Sequence, residues 1–257
     1  MKLTALGVWT HSYAGPTTSF YVGLENTRIL LDTGIDPIGR MRAMEISPTD
    51  CTHLYLSHLH SDHSSGFSNF VFTRELLGRS LKGALSPLIV LGSRSVIEGC
   101  QAMLRLQYPD RSFKISWMSL EAGIATELAD GVHIVTTPTV HSVECHGCRL
   151  TSRGFTLGFT ADTAPSQDHA TFFSDTTVLV GEAFGTEARV GTQVNNRGHS
   201  TAEDLGRLVT ACNAHCVIPF HFGPECLDSS ERAVLLAASK GTATQVFDPV
   251  TTPRVDM

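Results

Sequence analysis

Short apolar runs recur along the chain, several of them alternating with polar positions, and they read as strands. Residues 3–9, about 19–24 and 28–33 come first, with Phe20, Val22 and Leu24 alternating in the second and Ile29-Leu30-Leu31 filling the third. Gly15-Pro16 and Glu25-Asn26 punctuate them as turns. Later runs of the same kind are Leu54 with Leu56, Pro87-Leu88-Ile89-Val90-Leu91, residues 132–136, residues 155–160 after an Arg153-Gly154 turn, residues 177–180 and residues 216–220. Helical spacing takes over at 94–106, where Val96, Cys100, Met103 and Leu104 share a face. It returns after residue 201, where Leu205, Leu208, Val209 and Cys212 make one stripe. Further helices are predicted after Ser64-Ser65-Gly66-Phe67 and near 230–239, and a short strand near 244–247. Strands and helices interleaved in this way predict a layered α/β domain.

Histidines and acids gather where these strands end. The stretch from Thr52 to His63 begins as a short buried strand and closes with His58, His60, Asp62 and His63 inside six positions. Imidazole nitrogens and carboxylate oxygens suit zinc and other first-row metals. The i, i+2 spacing puts His58 and His60 on one side of an extended segment, while Asp62 and His63, just beyond, can turn toward a second ion. The cluster therefore predicts a two-metal site. Other strand ends carry Asp32-Thr33-Gly34, His141, Asp162, Glu182 and His221. His199 stands just ahead of Ser200-Thr201 and Glu203-Asp204, a capping box in which either hydroxyl can pair with either acid. His133 lies in mid-strand and reads as structural, and residues 189–197 read as a polar loop.

Composition narrows the partners. At 257 residues the chain suffices for a full core, and one domain spanning 1–257 is expected. There is no run of about 18 apolar residues, so no membrane span is expected. Met1-Lys2-Leu3-Thr4-Ala5-Leu6-Gly7 reads as an opening strand rather than a signal peptide, which predicts a cytoplasmic protein. Seven cysteines, an odd number scattered along the chain, predict reduced thiols instead of a disulfide framework. Cys145-His146-Gly147-Cys148 lacks a second Cys-x-x-Cys and a thioredoxin-like context, and reads as two thiols in a hairpin. A net charge of −6 and the absence of a Lys/Arg cluster point to a small-molecule substrate and away from long nucleic acid.

His58-Leu59-His60-Ser61-Asp62-His63 matches the His-x-His-x-Asp-His signature, and on it the chain resembles the metallo-β-lactamase-fold hydrolases. The resemblance implies an αββα sandwich, two β-sheets packed face to face with helices outside. It implies one metal held by His58, His60 and His141, a second by Asp62, His63 and His221, and Asp162 bridging them. Two divalent cations are expected, zinc first, with manganese or iron as alternatives. Asp32 is expected to brace the metal-bearing loop, and Glu182 to orient a neighbouring histidine.

The additional His199-Ser200-Thr201 is similar to the ribonuclease Z-like branch of phosphodiesterases, in which this histidine assists catalysis without binding metal. Tuning of the ending differs, since Gly223-Pro224-Glu225-Cys226 stands where that branch has a Ser and an Arg-Tyr. Only 20 residues separate His141 from Asp162, too few for the arm with which tRNA-processing members clamp tRNA. The resemblance then implies a phosphodiesterase for a small diester such as a cyclic nucleotide. In this reading hydroxide generated between the metals attacks, Asp62 orients it, and His199 protonates the leaving group. The alternative in the same fold is carboxylic-ester hydrolysis by a thioesterase, lactonase or arylesterase; tRNA 3′ processing ranks third. Relatives in the branch are often homodimers, which makes a homodimer one expected assembly.

Overall fold

The computed structural model describes residues 1–80, 85–129 and 131–256. Its strands are β1 (Lys2–Gly7), β2 (Ser19–Leu24), β3 (Thr27–Leu31), β4 (His53–Tyr55), β5 (Leu88–Gly92), β6 (Ile115–Ser119) and β7 (Thr126–Ala129). There follow β8 (Val132–Pro138), β9 (His146–Ser152), β10 (Phe155–Phe159), β11 (Val178–Glu182), β12 (Cys216–Phe220), β13 (Gln245–Val246) and β14 (Arg254–Asp256). The helices are α1 (Pro37–Ala43), α2 (Ser61–Ser64), α3 (Phe67–Gly78), α4 (Arg94–Gln107), α5 (Gln167–Phe172), α6 (Glu187–Val190), α7 (Ala202–Cys212) and α8 (Ser229–Ser239).

Two seven-stranded sheets result, ordered β14-β1-β2-β3-β4-β5-β6 and β13-β12-β11-β10-β9-β8-β7. Between them lies one apolar cluster to which both sheets contribute, including Phe20, Phe159 and Phe220. Phe20 meets Phe220 edge-on at 5.6 Å, and Phe220 lies 5.2 Å from Phe159, so aromatic contacts join the sheets near the strand ends that carry the histidines. A second cluster packs α3 and α4 onto the outer face of the first sheet through Phe67, Phe70, Val96, Ile97 and Cys100. Leu205, Val209 and Leu235 bring α7 and α8 onto the second sheet. With both faces covered, the central strands are apolar on both sides, which is why β3, β11 and β12 read as continuous runs.

β3–β4–β5–β6 and β10–β11–β12–β13 pair in parallel, so the C-terminal ends of each set share one edge. Three of these strands leave through non-glycine residues with left-handed backbone, Asp32 (φ 56°) after β3, Ala161 (φ 52°) after β10 and His221 (φ 64°) after β12. Such conformations cost an L-residue about 1–3 kcal/mol each and persist where the surroundings over-determine them. Here they swing Asp32, His221 and, one residue past Ala161, Asp162 out of the sheet line.

Most predicted elements are present with ends shifted by a few residues. The first strand stops at Gly7 rather than residue 9, although Trp9 still bridges Thr17 and Phe222. The third stops at Leu31 because Asp32 turns left-handed to aim its carboxylate at the metal-bearing loop. Residues 189–197 are not simply a loop: α6 ends within them and a 3-10 helix follows over Thr192–Arg197, bracketed by Gly191 (φ 65°) and Gly198 (φ 84°). The capping box resolves to Thr201 with Asp204, each side chain bonded to the other's backbone N–H. All seven cysteines are free and buried.

Candidate metal centre

Four loops converge on the shared edge. Residues 57–63 leave β4 and enter α2, His141 follows β8, Asp162 follows β10, and His221 follows β12. Their donor atoms form two groups in which all ligand atoms lie within 4.8 Å of one another. One is His58, His60, His141 and Asp162; the other is Asp62, His63, Asp162 and His221. Asp162 is common to both.

The imidazoles are fixed from behind. Ser57 donates its backbone N–H to Asp32 Oδ1 (2.8 Å) and its hydroxyl to Asp32 Oδ2 (2.8 Å), so its oxygen accepts from His58 Nδ1 (3.0 Å). His63 Nδ1 donates to the same Asp32 Oδ2 at 2.7 Å. His141 Nδ1 donates to the Gly198 carbonyl at 2.9 Å. His221 Nδ1 and His199 Nδ1 both donate to Glu182 Oε1, at 3.0 and 2.6 Å. A carbonyl or carboxylate only accepts, so each of these rings carries its hydrogen on Nδ1. Their Nε2 lone pairs are thereby presented inward.

This arrangement fits divalent cations. His58 Nε2, His63 Nε2 and Asp162 Oδ1 are buried without a hydrogen-bond partner, a costly state for polar atoms unless something is coordinated there. His63 Nε2 does approach Asp162 Oδ1 to 3.1 Å, but without hydrogen-bond geometry. His221 Nε2 to Asp162 Oδ2 (3.1 Å), His60 Nδ1 to His141 Nε2 (3.0 Å) and His58 Nε2 to Asp162 Oδ2 (3.8 Å) are the spacings of groups sharing an ion. Zinc ligands about 2.0–2.2 Å from one ion lie at roughly such separations.

Electrostatics agree. Burial pushes His58 down, as does the neighbouring His63, which leaves a neutral donor. Burial also opposes charge on His221, but Asp162, Asp62 and Glu182 outweigh it and raise the group to about 10. Burial likewise acts against charge on His63, and Asp162 with Asp32 overcomes it and lifts the group well above the usual histidine range. Asp162, resisted by burial, is held well below the carboxylate range by His221 and His63. Where no cation is bound, protons on His63 and His221 balance the carboxylates.

His199 stands beside the cluster. Its ring stacks on His221 (5.2 Å, 21°), lies edge-on to His141 (5.1 Å), and is flanked by Phe184 (5.4 Å). Asp162, Glu182, His199 and His221 form a third group close enough for ligation. Glu182, however, already receives both imidazoles on Oε1 and the Thr163 N–H on Oε2 (2.6 Å), so it acts as a bracket for the rings.

Every predicted site residue therefore lies in one constellation, Asp32 and Glu182 included. Unforeseen were Ser57, the Gly198 carbonyl, the Thr163 N–H, Phe184, and Cys145, whose sulfur sits 3.5 Å from His58 Nδ1. Ser57 was detectable only as the neighbour of His58.

The family model described as the beta-lactamase superfamily domain matches residues 27–222. A ribonuclease Z of Pyrobaculum aerophilum is 27% identical over 233 residues, which cover 81% of this chain and 80% of that protein. The crystal structure of YhfI from Bacillus subtilis, a metallo-β-lactamase fold protein, superposes with a TM-score of 0.78 at 18% identity, covering 96% of this chain and 94% of that one. Human tRNase Z, short form, superposes with a TM-score of 0.75 at 17% identity, covering 87% and 93% of the two chains.

Proposed function

The chain belongs to the beta-lactamase superfamily, with the metallo-β-lactamase fold and ribonuclease Z-like relatives, and from that premise we propose that this metal-dependent hydrolase cleaves small phosphodiesters. The observation that carries the reading is the position of His199, with Nδ1 committed to Glu182 and Nε2 left over for a substrate atom. A thioester or aryl ester expels a thiolate or phenolate that needs little help from an acid, whereas expulsion of an alkoxide from phosphorus calls for one.

His58, His60 and His141 would hold one cation and Asp62, His63 and His221 the other, with Asp162 shared. Zinc is the best match to this nitrogen-rich set, with manganese or iron next. Two such cations supply Lewis acidity, lowering the pKa of water toward about 7 and offsetting charge on phosphoryl oxygens. Asp62, about 20% exposed, is the carboxylate that accepts a hydrogen bond from the attacking water and orients it. Glu182 keeps the His199 hydrogen on Nδ1 in the neutral ring, and steadies the imidazolium that delivers a proton from Nε2 to the departing oxygen.

The connection between His141 and Asp162 favours a small substrate. β9 and β10 occupy most of it as a paired hairpin, Phe155 opposite Ser152, so it supplies sheet and not an arm. Beside His58, His60 and His141 in the chain, Leu59, Val140 and Val143 are exposed apolar side chains, a border unlike a polyphosphate track. The same border suits an acyl chain, which keeps carboxylic-ester hydrolysis as the second reading and tRNA 3′ processing as the third. A cytoplasmic, homodimeric enzyme is the setting in which this activity fits.

The test is a substrate panel with added Zn²⁺ or Mn²⁺: bis-p-nitrophenyl phosphate, a 3′,5′-cyclic nucleotide, a thioester, a lactone and a 3′-extended tRNA precursor. Turnover of the two small phosphodiesters, lost in Asp162→Ala, supports the reading. Turnover of the thioester or lactone with both diesters inert overturns it.

A further inference from the structure

Resting on the phosphodiesterase reading, we propose that Tyr13, stacked on His11, is the platform for the nucleobase of the nucleoside whose oxygen departs from phosphorus, so that the substrate is a nucleoside phosphodiester. The loop between β1 and β2 is tied to the Asp62, His63 and His221 half of the centre at both ends. At one end Thr10 donates both its backbone N–H (3.1 Å) and its hydroxyl (3.2 Å) to the carbonyl of Phe222, the residue after His221. The Trp9 ring meets the Phe222 ring edge-on at 5.7 Å. At the other end the Ile35 N–H donates to Thr17 Oγ1 (2.7 Å), and Gly34 N–H to the Thr18 carbonyl (3.0 Å). Gly34 fits so closely there that a Cβ on it would lie 2.3 Å from Thr17 Oγ1 and 2.4 Å from the Asp62 carbonyl.

The tip of this loop, His11-Ser12-Tyr13, therefore springs from the backbone bond that ties Thr10 to Phe222, the neighbour of His221. Tyr13 is 90% exposed, more than any other large apolar side chain among the described residues. Its ring is roughly parallel to His11 (6.4 Å, 21°), which covers one face and leaves the other open. An open aromatic face held on an anchored loop suits a flat heterocycle, since every nucleobase has a π-face and stacking needs no particular hydrogen bonds. His199 stacks on the same His221 and is the proton donor to the departing oxygen. On this placement the platform and the acid share one side of the centre, which assigns the base to the nucleoside whose oxygen departs.

The experiment compares kcat/KM for 3′,5′-cyclic AMP and for its abasic counterpart, ribose 3,5-cyclic phosphate, in wild type, Tyr13→Ala and Tyr13→Phe. Calorimetric titrations of AMP and ribose 5-phosphate run alongside in the metal-loaded proteins. Wild type should favour the base-bearing member of each pair, Tyr13→Ala should shrink both preferences roughly tenfold, and Tyr13→Phe should restore them. Equal effects of Tyr13→Ala on both members of a pair, or no effect, overturn the platform. If wild type cleaves neither cyclic phosphate, the phosphodiesterase reading falls, and with it the nucleoside phosphodiester substrate; the AMP titration then reports separately on whether Tyr13 stacks a base.

Discussion

His199 donates its Nδ1 hydrogen to Glu182 Oε1 across 2.6 Å, on the same oxygen that receives His221. One carboxylate therefore sets the tautomer of a proposed ligand and of the proposed acid together. His199→Ala should cut kcat about 10²- to 10⁴-fold for an alkoxide leaving group and far less for p-nitrophenolate. Glu182→Gln should reproduce that dependence on the leaving group and also weaken metal retention about 10- to 100-fold. Leaving-group series on both variants check this; equal losses on good and poor leaving groups exclude the acid role.

Asp32 accepts from Ser57 N–H, Ser57 Oγ and His63 Nδ1 while wholly buried. Asp32→Ala leaves those three donors facing nothing. A loss of roughly 3 kcal/mol of stability is expected, about that for breaking a buried pair, with metal affinity lowered about 10- to 100-fold. Urea unfolding of metal-free and loaded protein separates the two effects, and unchanged metal retention after dialysis would contradict the bracing role.

Cation binding should release protons. His221, raised to about 10 by Asp162, Asp62 and Glu182 against its burial, is protonated at neutral pH where no cation is bound, and His63 is raised as well. A cation takes those lone pairs, so apparent affinity rises with pH as these protons are lost. Calorimetric titration with zinc in buffers of different ionisation enthalpy measures the protons released; none released would refute the exchange.

His53, 3% exposed on β4, has Nδ1 bonded to Thr52 Oγ1 (2.8 Å) and Nε2 unpartnered. Burial lowers it to about 4. Between 6.5 and 4 the unfolded chain binds the proton that the folded chain refuses, so stability falls as pH falls through that window and is unaffected above it. The full drop is up to roughly 3 kcal/mol. Denaturation of wild type and His53→Leu across this range should show wild type losing stability relative to the variant toward pH 4, and parallel curves would count against it.

The centre was legible in the sequence where its chemistry is carried by side chains of unusual type. His58, His60, Asp62 and His63 are contiguous, and lone residues such as His141, Asp162 and His221 gained meaning from strand ends in the right order. The Thr163 N–H and the Gly198 carbonyl were not legible, because every residue has a backbone and nothing in a letter says that its amide is aimed. The same limit hid β6 and β7, whose half-exposed positions give no alternation, and α1, which runs only seven residues from its Asp36 cap and buries just Pro37 and Met41. The 3-10 turn at 192–197 buries only Val194 and so left no apolar period to read.

The seven buried cysteines turn the molecule into a set of clocks. Burial pushes the thiols of Cys51, Cys100 and Cys226 up to about 12 and that of Cys212 to about 11, with Cys145, Cys148 and Cys216 also raised. The thiolate is the species that attacks an alkylating reagent, so none of them reacts until its own segment opens. Cys100 keeps time for α4, Cys212 for α7, Cys216 for β12, and Cys145 for the hairpin beneath His58. Pulsed alkylation read out by peptide mass thus follows, without any introduced label, the sequence in which the two sheets come apart.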